Sequence, residues 1–265
     1  MPNNALSIFA RPSATPARPA IPGTPSAATG SLVATDLVKV YGDGPGAAHA
    51  LAGVSFAVGA GESLAIMGPS GSGKTTLLHC LAGIITPTSG SVRWRDVDLA
   101  ALSDRRRTAL RRSDFGFVFQ SGQLLPELPA VENAALPLML AGMPRHTATA
   151  HAAQWLADLG LAGMEQRRPG ELSGGQAQRV AIARALVGSP GVVFADEPTG
   201  ALDQATGDDV IHTLVGTAQA CQAALVVVTH DTNVARHCSR IITMHDGRVT
   251  GEQFASATSE GEPAR

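Results

Sequence analysis

Tyrosine occurs once in the 265 residues, at Tyr41, and lysine only twice, at Lys39 and Lys74. Nearly all positive charge is therefore arginine, which makes Lys74 conspicuous. Three cysteines (Cys80, Cys221, Cys238) are too few and too irregularly spaced for a disulfide framework or a zinc site. They read as thiols in a reducing compartment. His146, His151, His237 and His245 lack the carboxylate or cysteine companions that metal binding requires. No apolar run approaches the 18 or so residues of a membrane span, the longest strand-like one being Ala223 to Thr229. A net charge of −2 gives no general attraction to nucleic acid or anionic lipid. No apolar segment near the start suits a signal peptide. Internal repeats and sustained heptads are also missing. What is present is an apolar content of 44%, enough for a substantial core.

Residues 1–30 are rich in Pro, Ala, Ser and Thr, which predicts a disordered tail. Strand patterns begin with Leu32 to Ala34 and Leu37 to Val40, and resume from Leu51 to Val58 and from Ser63 to Met67. Ser91 to Arg95 reads as a short edge strand, Ser103 to Arg112 as a basic helix and Phe115 to Phe119 as another strand. From about Leu124 the pattern becomes helical, broken by Pro126, Pro129, Pro137 and Pro144. Including the helix that begins at Gly174, this insertion covers about 124–185. Strands at Val192 to Ala195 and Leu225 to Thr229 then alternate with a helix from Gln204 to Gln219. Such alternation predicts an α/β fold with a largely parallel sheet. Ile241 to Met244 and Arg248 to Thr250 form the last strand pieces, so the domain spans 31–250 with a frayed tail over 251–265. The arginines at 105–107 and 111–112 read as a solvated helix face, contact with headgroups or a partner being the other reading.

Gly68 to Thr76 reads GPSGSGKTT and fits the P-loop spacing G-x-x-x-x-G-K-[ST] between an apolar strand and a helix. The loop residues Gly68, Pro69, Ser70, Gly71, Ser72 and Gly73 can wrap a phosphate chain with backbone N–H groups. Lys74 can reach the β- and γ-phosphates, and the Thr75 hydroxyl can ligate Mg²⁺, with Thr76 following in the same turn. A second element is the strand Val192 to Ala195, which ends in Asp196 and Glu197. Carboxylates at a strand's C-terminal end stand beside the ligand crevice of an open α/β sheet. Asp196 is placed to hold Mg²⁺ and Glu197 to act as general base on water. Gln120 and His230 each follow a strand on the same side. The amide oxygen of Gln120 can ligate Mg²⁺, and the imidazole of His230 can contact the γ-phosphate or orient Glu197.

Leu172 to Arg179 reads LSGGQAQR and opens a helix, with Ser173 as N-cap and Gly174 and Gly175 baring N–H groups, followed by Gln176. One nucleotide at the P-loop does not need a second helix N-terminus so distant in sequence. This loop is therefore expected to serve the nucleotide of another copy. The run LSGGQAQRVAIARAL resembles the signature of ATP-binding cassette (ABC) ATPases, and the remaining elements occur in that family's order. The resemblance, which spans about residues 31–250, implies a P-loop NTPase with a RecA-like core. An antiparallel β subdomain and an inserted helical signature subdomain complete it. It also implies a head-to-tail homodimer enclosing two ATP molecules with Mg²⁺. Tyr41 matches the aromatic that stacks on adenine, and Ser173 and Gly175 match the contacts made across the dimer. Asp203 matches the loop residue coupling the two sites, and Gln120 and His230 match the glutamine-loop and switch positions. Gly200 stands where many members carry serine.

Gly116 to Gln120, Leu124-Leu125-Pro126 and Glu132 to Leu138 are similar to the lipoprotein-release and macrolide-export ATPases. This implies a separately encoded integral membrane permease, docked on the helical insertion, and a peripheral place at the cytoplasmic face of the membrane. Two competing readings stand beside it. One is a soluble ABC ATPase working on DNA or ribosomes, against which speak the absent coiled-coil insertion and the single cassette. The other is the ATPase of a non-transport complex regulating cell-wall hydrolysis in division.

Overall fold

Strands apolar at every position need cover on both faces, and this requirement organises the molecule. The computed structural model describes residues 31–254. The tail expected over 1–30, and residues 255–265 of the one expected over 251–265, lie outside the described residues. The N-terminal part contains β1 (Leu32–Tyr41), β2 (Ala48–Val58), β3 (Ser63–Met67), α1 (Lys74–Leu81), β4 (Ser89–Trp94) and β5 (Val97–Asp98). Then follow α2 (Asp104–Asp114), β6 (Phe115–Phe119), α3 (Ala130–Leu140), α4 (Arg145–Asp158) and α5 (Gly174–Leu186). The chain closes with β7 (Val192–Asp196), α6 (Gln204–Ala220), β8 (Ala224–Val228), α7 (Thr232–Arg236), β9 (Arg240–His245) and β10 (Arg248–Phe254).

A six-stranded sheet runs in the order β10-β9-β3-β8-β7-β6, parallel throughout except for β10. A separate antiparallel sheet has the order β2-β1-β4-β5. The expected α/β class, with a mostly parallel core sheet and an antiparallel subdomain, is what the chain adopts. Alternate residues divide the two cores. Ala65, Val193, Ala195, Leu225 and Val227 pack with α3 to α6, while Leu64, Ile66, Val192, Phe194 and Val226 pack with α1 and the antiparallel sheet. Phe194 is fully buried, which contributes roughly 1.5–3 kcal/mol. It meets Phe115 edge-on at 5.3 Å, and Phe115 meets Trp94 at 5.9 Å, joining the two sheets.

Several sequence expectations need correction. β4 is not an edge strand, because the two-residue β5 continues the sheet beyond it. Pro137 lies inside α3 instead of ending it; its ring faces a groove and its carbonyl still accepts from Ala141 N at 3.0 Å. β10 continues through Phe254, past Gly251, because Gly251 to Phe254 pair with Thr243 to Arg240. The short α7, capped by Asp231, was not legible as a helix. On α2, Arg105, Arg106 and Arg112 are exposed as expected, but Arg111 reaches the Gly83 carbonyl at 2.6 Å and Arg107 pairs with Asp104.

Candidate functional site

Parallel pairing in register sets the carboxyl ends of the core strands level with one another. Phe119 sits opposite Asp196, and Asp196 opposite Val228, so Gln120, Glu197 and Thr229 emerge at one height. The loop after β3 emerges beside them, because Ile66 pairs with Val228. Here the backbone demands glycine at two positions. Gly73 has φ +98°, and a Cβ on it would lie 2.1 Å from the Ala50 carbonyl oxygen. Gly68 is as constrained, since its Cβ would lie 2.2 Å from the Met244 carbonyl oxygen. The loop is thus wedged between β2 and the end of β9.

No side chain caps α1, so the N–H groups of its first turn are free to meet an anion. Lys74 folds over the loop, donating to the carbonyls of Gly68 at 2.8 Å and Pro69 at 2.9 Å. The Ser72 hydroxyl is buried without a hydrogen-bond partner among the described residues. A cleft of about 360 Å³ is lined by Ser70, Gly71, Gly73, Lys74, Thr75 and Thr76 together with Ala50, Asp196, Glu197 and Val228. An adjoining cleft of about 470 Å³ shares Thr75, Asp196 and Glu197 with it and adds Gln120. Hydroxyl, amide and carboxylate oxygens thus converge.

Glu197 has φ +47°, an uncommon conformation for a residue with a Cβ, held by its N–H donating to the Val228 carbonyl at 2.9 Å. Its carboxylate is held on both oxygens. Oε1 accepts from the His230 N–H at 3.1 Å and lies 2.8 Å from His230 Nδ1, while Oε2 accepts from Thr229 Oγ1 at 3.1 Å. An ionised carboxylate only accepts, so this contact assigns the ring proton to Nδ1 and leaves Nε2 open. Burial pushes the carboxyl pKa of Asp196 up, and the charge of Glu197 adds to this, against the lowering influence of His79 and Lys74.

The remaining predicted residues fall outside these two clefts. Ser173 and Gln176 form a reciprocal capping box: Ser173 Oγ accepts from Gln176 N at 3.3 Å, and Gln176 Oε1 accepts from Ser173 N at 2.9 Å. Gly174 is exposed. Gly175, expected to present an open N–H, is buried against α6, where a Cβ would lie 2.5 Å from Thr206 Cγ2. Asp203 is exposed and caps α6 through Thr206 N at 3.1 Å, and the Thr206 hydrogen bonds hold its carboxyl below the usual range. These residues lie together but line neither cleft. Tyr41, at the end of β1, is 42% exposed with Lys39 Nζ 5.1 Å from its ring centroid. It pairs with Ala48, two residues from the cleft-lining Ala50. Sequence reasoning missed Thr229, and it also missed Gln178 and Arg184, whose polarity on an otherwise buried helix was the available signal.

Comparison with known proteins bears on this arrangement. The ABC transporter family profile matches residues 51–200. The lipoprotein-releasing system ATP-binding protein LolD of Geobacter metallireducens is 45% identical over 83% of this chain and 98% of its own. LolD of Bordetella pertussis is also 45% identical, over 83% of this chain and 95% of its own. Among solved structures, the dimeric ATP-binding cassette MJ0796 in a post-hydrolysis state with ADP and Pi is similar at TM-score 0.76 and 39% identity. That match covers 84% of this chain and 98% of the other.

Proposed function

The chain belongs to the ABC transporter family, and from that premise we infer that it is the ATP-binding and ATP-hydrolysing subunit of a membrane transport complex. The observation that carries this reading is the doubly held carboxylate of Glu197 in the cleft beside Lys74 and Thr75. The loop Gly68 to Gly73 and the start of α1 bind the phosphates, with Lys74 turning from the Gly68 and Pro69 carbonyls to the β- and γ-oxygens. Glu197 takes the proton of the attacking water, whose oxygen bonds to the γ-phosphorus as the bond to the β-phosphate oxygen breaks. Thr229 and the two His230 contacts fix the direction of that carboxylate. Thr75, Gln120 and Asp196 line one cleft with hard oxygen donors, a set that fits Mg²⁺. When bound, that ion neutralises charge building on the transferred phosphoryl group.

Two copies are proposed to join head to tail, because Ser173 to Gln176 and Asp203 sit outside the clefts of their own chain. The dimeric MJ0796 cassette supports this arrangement. Tyr41 would stack on adenine at the outer end of each cleft. A groove of about 680 Å³ between α2, β6, α3 and α5, with Phe117, Leu136 and Leu140 among its lining, suits an apolar segment of a separate permease. No helix among the described residues is long and apolar enough to cross a membrane, so such a permease would hold the subunit at the cytoplasmic face. Affinity purification of the tagged chain from solubilised membranes tests this. Recovery of one integral membrane partner, lost on Leu136→Asp, is expected; recovery of ribosomes or DNA-bound proteins instead would contradict it. Sequencing that partner separates a transporter from a division complex.

A further inference from the structure

Gln120 occupies the second position of a four-residue turn closed by Gly122 N donating to the Phe119 carbonyl at 2.9 Å. Three further bonds reach the backbone of this turn and its exit from a single helix, α5. Gln178, 3% exposed, donates Nε2 to the same Phe119 carbonyl at 2.9 Å. Arg184 donates Nη1 to the Gln123 carbonyl at 2.7 Å and Nη2 to the Gly122 carbonyl at 2.6 Å. Arg184 is half-buried, and Gly122 and Gln123 both have positive φ, at +68° and +47°. A planar fork suits two consecutive carbonyls as a single ammonium does not. The first turn of α5 meanwhile lies against Leu202 and Thr206, on the side of Asp203.

We propose that Arg184 and Gln178 are positioning residues for ATP hydrolysis, which lock the Gln120 turn to the helix that begins at Ser173. The Gln120 amide and the Ser173 end then move as one body, so closure on nucleotide carries Gln120 to its working place beside Thr75, Asp196 and Glu197. Arg184 and Gln123 also line the groove between α2 and α3, so a segment seated there would press on this same linkage. The inference rests on the reading of Gln120 given under Proposed function.

The test is a double-mutant cycle on steady-state ATPase activity of the full chain. Arg184→Lys keeps the charge and loses the two-pronged grip. It is expected to lower kcat about tenfold while KM for ATP stays within about twofold, the signature of a misplaced group in the working state. In a Gln120→Ala background the same substitution is expected to change kcat by less than about twofold, since nothing remains to position. Gln178→Met, which keeps volume and drops the donor, should give the same pattern at smaller size and serves if Arg184→Lys fails to fold. An unchanged kcat in Arg184→Lys, or an equal penalty in both backgrounds, overturns the inference. If Gln120→Ala alone leaves kcat unchanged, the reading of Gln120 falls and takes this inference with it.

Discussion

Glu197 Oε1 receives both the backbone N–H of His230, at 3.1 Å, and its Nδ1, at 2.8 Å. One residue thus fixes one carboxylate oxygen twice, while Thr229 holds the other. The ring Nε2 remains open on a side chain that is 73% exposed. A base held in this way loses little orientation at the moment of reaction.

Replacing Glu197 by Gln keeps the shape and removes the proton acceptor. We expect kcat for ATP hydrolysis to fall by at least about 100-fold with nucleotide affinity retained. His230→Ala should lower kcat by about tenfold, because the Thr229 bond and the backbone N–H persist. Steady-state kinetics with a fluorescent-nucleotide titration would check both, and a Glu197→Gln enzyme turning over at the parental rate would remove Glu197 from its role.

The glycine at 73 is required by contact as well as by conformation. Gly73→Ala sets a methyl 2.1 Å from the Ala50 carbonyl oxygen at φ +98°. We expect a lower melting temperature, with at least about 1–2 kcal/mol lost to the left-handed backbone alone, and at least tenfold weaker ATP binding. Thermal melts with and without ATP measure both; a variant melting and binding like the parent would contradict the wedged loop.

Asp196 gives a pH-dependent test. Its folded pKa is raised above the ordinary 3.8, first by burial and then by the charge of Glu197. The folded chain therefore binds more protons than the unfolded one just above pH 3.8, and stability falls as pH rises through that window. Above it the loss is complete and persists to neutrality. Asp196→Asn should consequently raise the melting temperature at neutral pH, with the gain vanishing below pH 3.8, while ATPase activity is lost. A neutral-pH melting temperature below that of the parent would oppose this assignment.

How much of this could be read in the chain follows from the range of each interaction. The loop Gly68 to Thr76, the strand-end carboxylates and the Ser173 cap are local, set by neighbours a few residues away, and the structure places them as the spacing implies. The carbonyls of Ala50 and Met244 that make Gly73 and Gly68 obligatory belong to other strands and leave no local trace. The grip of Arg184 on Gly122 and Gln123 joins residues about 60 apart in sequence. Gly175 carries a second reason for its lack of a side chain that leaves no local trace: a Cβ there would lie 2.5 Å from Thr206 Cγ2.

The central claim is that each chain carries half of a site, closed by ATP. Light scattering after size exclusion, on Glu197→Gln with ATP, tests it most directly. The account predicts a mass twice that of the chain with ATP, a single-chain mass without it, and a single-chain mass with ATP once Ser173→Arg is added. A Glu197→Gln protein that binds ATP yet stays a single chain, or a doubly substituted protein that still pairs, would contradict it.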